Sequence, residues 1–191
     1  DLIDALRVLG KSGRVEFTSS AKYHAFLPLL DKEEIIRQIK INNETNKFFL
    51  GDAYQPQGFF PPEMGYKEEL APIVESLGFK WIILDEIACT GKPGQIDYQK
   101  IYKIKNSKLL VFFRERRLSN LIMSAIVRSP ETLREAIGAD WNSGRYLITA
   151  MDGETFGHHR PGLEKMLFEI FAAPELEFLK ISELADRYPE I

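Results

Sequence analysis

A polar loop near the C-terminal end of the chain holds two carboxylates and two histidines within eight residues. These residues are Asp152, Glu154, His158 and His159. An apolar run over 146–151 precedes the loop, and an amphipathic stretch over 161–172 follows it, which predicts a strand, a loop and a helix. In α/β folds, the loop that leaves the C-terminal end of a strand is where reactive groups are placed. The loop is therefore a candidate site for acid–base chemistry.

Other predicted strands also end in, or are interrupted by, an acid or a strong donor. These residues are Glu16, Glu63, Asp85, Glu86 and Arg114. Because the C-terminal ends of parallel strands meet at one edge of a sheet, we expect them to converge with Asp152 on a single rim. Several carboxylates on one rim suit cleavage of a glycosidic bond. In that reaction one acid protonates the leaving oxygen, while another carboxylate attacks or stabilises the sugar cation.

The elements that must position this rim alternate along the chain. Strand-type patterns occur at 14–20, 58–61, 81–84, 109–113, 146–151 and 177–181. Helix-type patterns occur at 1–9, 31–41, 67–77, 118–126, 130–137 and 161–172, and after Ser182. Residues 42–47 are interpreted as a polar connector, and 88–107 as a loop at the rim. The alternation predicts an α/β fold with a parallel sheet, either open or closed into a barrel.

The composition argues against several other classes of protein. The length of 191 residues suits one domain or a piece of a larger one. A formal net charge of −3 argues against binding to nucleic acid through phosphate attraction, and no apolar run approaches the ~18 residues that span a membrane. The single cysteine, Cys89, excludes an internal disulfide. We expect a cytoplasmic protein with neither nucleic acid nor membrane as a partner.

Three segments taken together resemble glycoside hydrolase family 57. Residues 58–66, Gly-Phe-Phe-Pro-Pro-Glu-Met-Gly-Tyr, followed by the strand and acids at 81–86, are similar to the family's nucleophile region. Residues 151–157, Met-Asp-Gly-Glu-Thr-Phe-Gly, are similar to its acid/base region. Residues 13–16, Gly-Arg-Val-Glu, resemble its Gly-Gln-x-Glu region, with Arg14 in place of the usual Gln.

This resemblance implies a retaining α-glucan hydrolase or glucanotransferase on an incomplete (β/α)7 barrel of the TIM type, without a metal or other cofactor. It assigns Glu63 as the nucleophile and Asp152 as the general acid/base, and retention would need their carboxyl groups about 5–5.5 Å apart. The expected contacts to substrate are Glu16, His24, Tyr66, Asp85, Arg114, Phe156 and His158. The expected partner is an α-1,4-glucan or a related oligosaccharide.

The chain also departs from the family pattern. The family's opening strand, with its His-Gln-Pro motif, and its later helical region are absent, and Asn120 stands where Asp is expected in a Leu-Ser-Asp pattern. We therefore expect residues 1–191 to form a single catalytic-type barrel domain that is truncated at both ends and lacks barrel and helical elements of a parent chain. The substrate cleft of such a segment would be half-built.

Two alternatives stay open on the sequence alone. The first is a metal hydrolase of the polysaccharide-deacetylase kind, with a mixed nitrogen and oxygen site. Its ligands would come from Asp152, Glu154, His158, His159 and His24. Against it, adjacent histidine side chains diverge, and the chain lacks the His-x-x-x-His pair of those enzymes. The second alternative is a glucan-binding homologue without turnover.

Overall fold

The computed structural model covers residues 1–191 and divides the chain into two compact units. The first unit comprises residues 1–84, 100–112 and 180–191, and the second comprises 85–99 and 113–179. None of the helices combines the length and the apolar character that crossing a bilayer requires.

Most of a five-stranded sheet lies in the first unit. Its strands are β1 (Thr18–Ser19), β2 (Gly58–Phe59), β3 (Trp81–Asp85), β4 (Tyr102–Lys103) and β5 (Leu110–Arg114). Their order is β1-β2-β3-β5-β4, with β1 parallel to β2, β2 parallel to β3, and β4 antiparallel to β5. In the register, Thr18 faces Gly58 and Gly58 faces Trp81. The predicted α/β class with a mainly parallel sheet is confirmed, with β4 as an antiparallel edge.

The apolar run at 81–84 forms most of β3, in which every residue is buried, as expected for a strand covered on both faces. The Trp81 ring packs edge-on against Phe112, with ring centroids 5.9 Å apart. Gly58 allows the indole to approach β2 closely, because a β-carbon at that position would overlap the Trp81 ring. The segment that leads to the nucleophile candidate is thus packed against the buried strand β3.

The chain forms eight α-helices. They are α1 (Leu2–Lys11), α2 (Lys32–Leu50), α3 (Leu70–Ser76), α4 (Ile87–Thr90), α5 (Arg116–Met123), α6 (Pro130–Ile137), α7 (Glu164–Ala172) and α8 (Ile181–Leu184). Helix α6 begins as predicted, with Ser129 as its cap and Pro130 at its first position. Helix α8 begins at Ile181, one residue before the predicted cap Ser182.

Helix α2 is longer than predicted, because it continues through the expected connector at 42–47. The polar residues of that stretch face partners in the first unit. Asn43 Oδ1 accepts hydrogen bonds from the Ser19 hydroxyl at 2.5 Å and from the Tyr54 hydroxyl at 2.9 Å. Tertiary hydrogen bonds therefore outweigh the weak intrinsic helix propensity of asparagine.

Two predicted strands are wrong. Residues 177–180 are irregular and lead into α8, and residues 146–151 form no β-ladder. Strand β5 ends at Arg114 and α5 begins at Arg116, so little strand remains for 146–151 to pair with. The Glu115 amide donates to the Ile148 carbonyl at 2.8 Å. The predicted rim loop at 88–107 also contains β4 and most of α4.

The second unit has its own apolar core, built from the inner faces of α5, α6 and α7. The buried members of this core cluster are Leu118, Ile122, Val127, Leu133, Leu163, Met166 and Ile170. Met151, immediately before the polar loop at 152–159, and Phe156 within it pack against the cluster. The loop is therefore fixed by apolar contacts on both sides of its first acidic residues.

Candidate active site

Glu63 lies directly after β2, on a short 3-10 turn over Pro62–Met64. The paired prolines end the strand, because proline has no amide proton to give to a ladder. Glu63 and Met64 both have left-handed backbone, with φ of 56° and 51°. Such conformations cost residues other than glycine roughly 1–2 kcal/mol each. The Glu63 side chain is 71% exposed, so a strained turn presents its carboxylate to solvent.

His24 is the hydrogen-bonding partner of Glu63. Its Nε2 lies 2.9 Å from Glu63 Oε1, and its own φ of 53° is also left-handed. The loop that carries His24 is tied to α2 by the buried Gln38, whose carbonyl accepts from the Lys22 amide and whose Oε1 accepts from the Tyr23 amide. The structure therefore brings together two residues that the sequence analysis placed in the site.

Phe26 and Tyr66 lie on the segments that flank this pair. A β-carbon at Gly65 would overlap the Phe26 ring, so the loop after Glu63 packs closely against the loop after His24. Tyr66 is half-buried, and burial raises the pKa of its phenol, with a further rise from the charges of Glu68 and Glu69. A neutral phenol beside the turn is compatible with the substrate contact expected for Tyr66.

Glu16 does not join Glu63 at this edge of the sheet, which corrects the expectation of one shared rim. It precedes β1 by two residues, whereas Glu63 follows β2, and the two strands run parallel with Thr18 opposite Gly58. The Glu16 carboxylate accepts a hydrogen bond from the Ser182 amide at 3.1 Å. It also lines a polar cavity of about 390 Å³ that is bordered by Asp52 and Lys180, among others.

Asp152 occupies an exposed position at the start of the polar loop in the second unit. Its carbonyl accepts from the Thr155 amide at 3.0 Å, and the Glu154 carbonyl accepts from the His159 amide at 2.8 Å. Thr155 is buried, and Met151 packs on the core cluster. Asp152 is thus an exposed side chain on a well-fixed backbone.

Asp85 and Arg114, which were expected to contact substrate, form a buried ion pair with each other. Arg114 Nη1 lies 3.2 Å from Asp85 Oδ2, and the two side chains are only 8% and 10% exposed. Arg116 Nη1 reaches the same oxygen at 2.9 Å, and Asn120 Oδ1 accepts from Arg114 Nη2 at 2.9 Å. Neighbouring side chains therefore already occupy much of the bonding capacity of this pair.

The remaining expected site residues lie on the polar loop. Phe156 is half-buried against the core cluster, and His158 is exposed with its ring 5.1 Å from that of His159. His159 Nε2 lies 3.8 Å from Glu154 Oε2. The structure contains no group of three His, Cys, Asp or Glu side chains that could hold a metal ion.

Sequence analysis missed two buried polar residues that hold the candidate loops. Gln38 holds the His24 loop, and the Ser119 hydroxyl accepts a hydrogen bond from the Ala150 amide. Both act on residues far away in the sequence. Ser119 is the serine of the Leu-Ser-Asp pattern, but that pattern does not indicate the contact with Ala150. Glu63 belongs to the first unit and Asp152 to the second, and the expected separation of their carboxyl groups stays a prediction.

Comparison with known families and structures gives a consistent set of matches. The family model described as glycosyl hydrolase family 57 matches residues 1–190. The 1,4-α-glucan branching enzyme of Thermococcus kodakarensis is 28% identical over an alignment of 152 residues, and the match covers 65% of this chain and 22% of that protein. The α-amylase of Pyrococcus furiosus is 27% identical over an alignment of 173 residues, and the match covers 88% of this chain and 26% of that protein.

A solved structure supports the fold. The 4-α-glucanotransferase of Thermococcus litoralis matches 98% of this chain with a TM-score of 0.73 and 18% sequence identity. The match covers 31% of that protein, so the chain spans between about a fifth and a third of these three relatives. The likeness confirms the predicted fold, which is part of a (β/α) barrel.

Proposed function

The chain belongs to glycosyl hydrolase family 57, and on that premise we propose that it acts on α-1,4-glucans through a retaining mechanism with Glu63 as nucleophile and Asp152 as general acid/base. The observation that carries the proposal is the solvent-exposed Glu63 on its strained turn, hydrogen-bonded to His24. The names of the relatives, which include a branching enzyme, an amylase and a glucanotransferase, support an α-glucan as the substrate.

The first step forms a bond between Glu63 and the sugar. One Glu63 oxygen attacks the anomeric carbon while the bond from that carbon to the bridging oxygen breaks, and Asp152 gives its proton to the departing oxygen. A proton on His24 Nε2, donated to Glu63 Oε1, leaves Oε2 available for attack. The products are a covalent glycosyl-enzyme and a shortened glucan.

The second step reverses the first with a new acceptor. Asp152, now a carboxylate, removes a proton from water or from a sugar hydroxyl, whose oxygen attacks the anomeric carbon and displaces Glu63. Water gives hydrolysis, and a sugar hydroxyl gives transglycosylation or branching. Two displacements at one carbon retain its configuration.

An azide experiment distinguishes the roles of the two acids. With an activated maltosyl donor whose leaving group needs no proton, Glu63→Ala should be rescued by azide to give the glycosyl azide of inverted configuration. Asp152→Ala should be rescued to give the retained azide, because azide then attacks the covalent intermediate. Glu69→Gln and Glu154→Gln are the matched controls, since these exposed acids flank the two candidates and have no role in the proposed retaining mechanism.

Several outcomes would contradict the proposal. They are full activity in Glu63→Gln, the same azide anomer from both variants, or binding of a maltooligosaccharide without product. The last outcome would favour a glucan-binding homologue. A chelator should leave turnover unchanged, and loss of activity that is restored by added metal would favour the metal hydrolase.

A further inference from the structure

Ser119 is a completely buried polar residue in the first turns of α5. Its hydroxyl donates to the Glu115 carbonyl at 2.7 Å, within its own helix. The same oxygen accepts a hydrogen bond from the Ala150 amide at 3.2 Å, 31 residues further along the chain. A buried hydroxyl that both donates and accepts connects the helix to the backbone that leads to Asp152.

The contact replaces a missing strand neighbour. Residues 146–151 belong to no strand, and strand β5 ends at Arg114, before it could pair with them. The Glu115 amide still donates to the Ile148 carbonyl at 2.8 Å. One helical turn later, the Ser119 hydroxyl oxygen accepts a hydrogen bond from the Ala150 amide. A backbone amide left unpaired in such a place costs free energy, so the hydroxyl serves where a ladder carbonyl would otherwise stand.

The anchored amide lies two residues before Asp152. Beyond it, Met151 packs on the core cluster, and the Asp152 carbonyl accepts from the amide of the buried Thr155. Without the Ser119 contact, the chain between Ile148 and Met151 would lose the hydrogen bond that sets its direction. A general acid must be held close to the oxygen that it protonates, and a displacement of about 1 Å can lower the rate roughly a hundredfold.

We infer that Ser119 is a positioning residue, which fixes the backbone from which Asp152 delivers its proton. The inference rests on the proposed role of Asp152, and it concerns the serine of the Leu-Ser-Asp pattern, a position to which the family resemblance assigned no role. Ser119 touches the segment and not the substrate, so it acts through Asp152.

Four variants separate the hydrogen bond from packing. Ser119→Thr keeps the hydroxyl, whereas Ser119→Val has the same shape without it, so their difference reports the hydrogen bond alone. Ser119→Ala removes the hydroxyl and adds no bulk. Ser124→Ala is the matched control, because the exposed Ser124 hydroxyl, at the end of the same helix, donates only to the Leu121 carbonyl.

Two measurements are made on each variant. Hydrogen exchange at the Ala150 amide should be about fivefold to tenfold faster in Ser119→Val and Ser119→Ala than in Ser119→Thr, the wild type and Ser124→Ala. In turnover of a maltooligosaccharide, kcat should fall by roughly 10- to 100-fold in the first two, with KM within about twofold. The limb of the pH–kcat profile that reports the general acid should move in these two variants only.

Equal Ala150 exchange in Ser119→Val and Ser119→Thr would overturn the anchoring contact. Faster exchange with unchanged kcat and pH profile would overturn the positioning role. The exchange measurement needs no turnover, so it is independent of the proposed function. Retained activity in Asp152→Asn would instead refute the acid/base assignment, whatever the exchange rates show.

Discussion

His24 Nε2 lies 2.9 Å from Glu63 Oε1, and both residues hold left-handed backbone conformations, with φ of 53° and 56°. A non-glycine residue in this region costs of order 1–3 kcal/mol and persists only where its surroundings enforce it. Here two such residues meet through their side chains, and both side chains are more than two-thirds exposed. Strain that serves no packing purpose is characteristic of a site where a side chain must be aimed.

Replacing His24 by Asn should lower kcat/KM on a maltooligosaccharide by roughly 10- to 100-fold, because the nucleophile loses the partner that orients it. Asn tolerates left-handed backbone, so the loop conformation should persist and the melting temperature should stay close to the wild-type value. Tyr23→Asn, at the adjacent exposed position, is the control for a polar change in the same loop. Equal kcat/KM in His24→Asn and the wild type would contradict the orienting role.

The strain at Glu63 gives a stability prediction that is independent of activity. Glu63→Gly should be more stable than Glu63→Ala by about 1 kcal/mol in the free energy of unfolding, because glycine adopts positive φ without a steric penalty. At the exposed helical position Glu135 in α6 the order should reverse, with Glu135→Gly about 1 kcal/mol less stable than Glu135→Ala. Urea unfolding of the four variants measures both differences. The same sign at both positions would exclude left-handed backbone at Glu63.

Gly65 and Phe26 form a pair that a double-mutant cycle can test. Gly65→Ala should lower the free energy of unfolding by about 1–3 kcal/mol, because the added methyl group overlaps the Phe26 ring. In a Phe26→Ala background the same substitution should cost much less, since the ring is gone. Additive effects of the two changes would show that these residues do not touch.

Local signals in the sequence predicted the elements whose determinants are local. Ser129 and Pro130 specify the start of α6 whatever surrounds them, and the apolar run at Trp81–Asp85 specifies a buried strand. The end of α2 was missed, because the partners of Asn43 come from β1 and from the turn at Tyr54. Without knowledge of those partners, the polar stretch at 42–47 is predicted as a connector.

The candidate site shows the same difference between features with local determinants and features that depend on distant partners. Motif similarity selected Glu63 and Asp152 together, but whether an acid after a strand faces solvent or an arginine depends on the next strand. Asp85 meets Arg114 across β3 and β5, and Glu16 stays before β1 and meets Ser182 from the C-terminal segment. No spacing within the sequence encodes either contact.

The ion pairs around Asp85 should stabilise the fold, and the two arginines should contribute very different amounts to the free energy of unfolding. Arg114→Met should lower the free energy of unfolding by about 3 kcal/mol, because it removes the buried partner of a buried carboxylate. Arg116→Met should cost about 1 kcal/mol or less, although Arg116 contacts the same Asp85 oxygen, since its side chain is 42% exposed. Chemical denaturation of the two variants gives the comparison. Equal losses would contradict the difference in burial.

Glu75 should contribute to the loss of stability in acid. The Ser107 hydroxyl, 2.6 Å away, lowers the pKa of the Glu75 carboxyl, and the Lys108 amide and nearby lysines lower it further. A carboxyl whose pKa is lower in the folded state stabilises the fold fully above its unfolded value of 4.5, and this contribution disappears as the pH falls through the folded value. The wild type should therefore lose more unfolding free energy than Glu75→Gln between about pH 6 and about pH 3.

Ser107→Ala should behave like Glu75→Gln, whereas Ser76→Ala, which removes a hydroxyl bonded only to the Ile73 carbonyl of α3, should behave like the wild type. The same acid dependence in Glu75→Gln and the wild type would show that this hydrogen bond does not carry the effect.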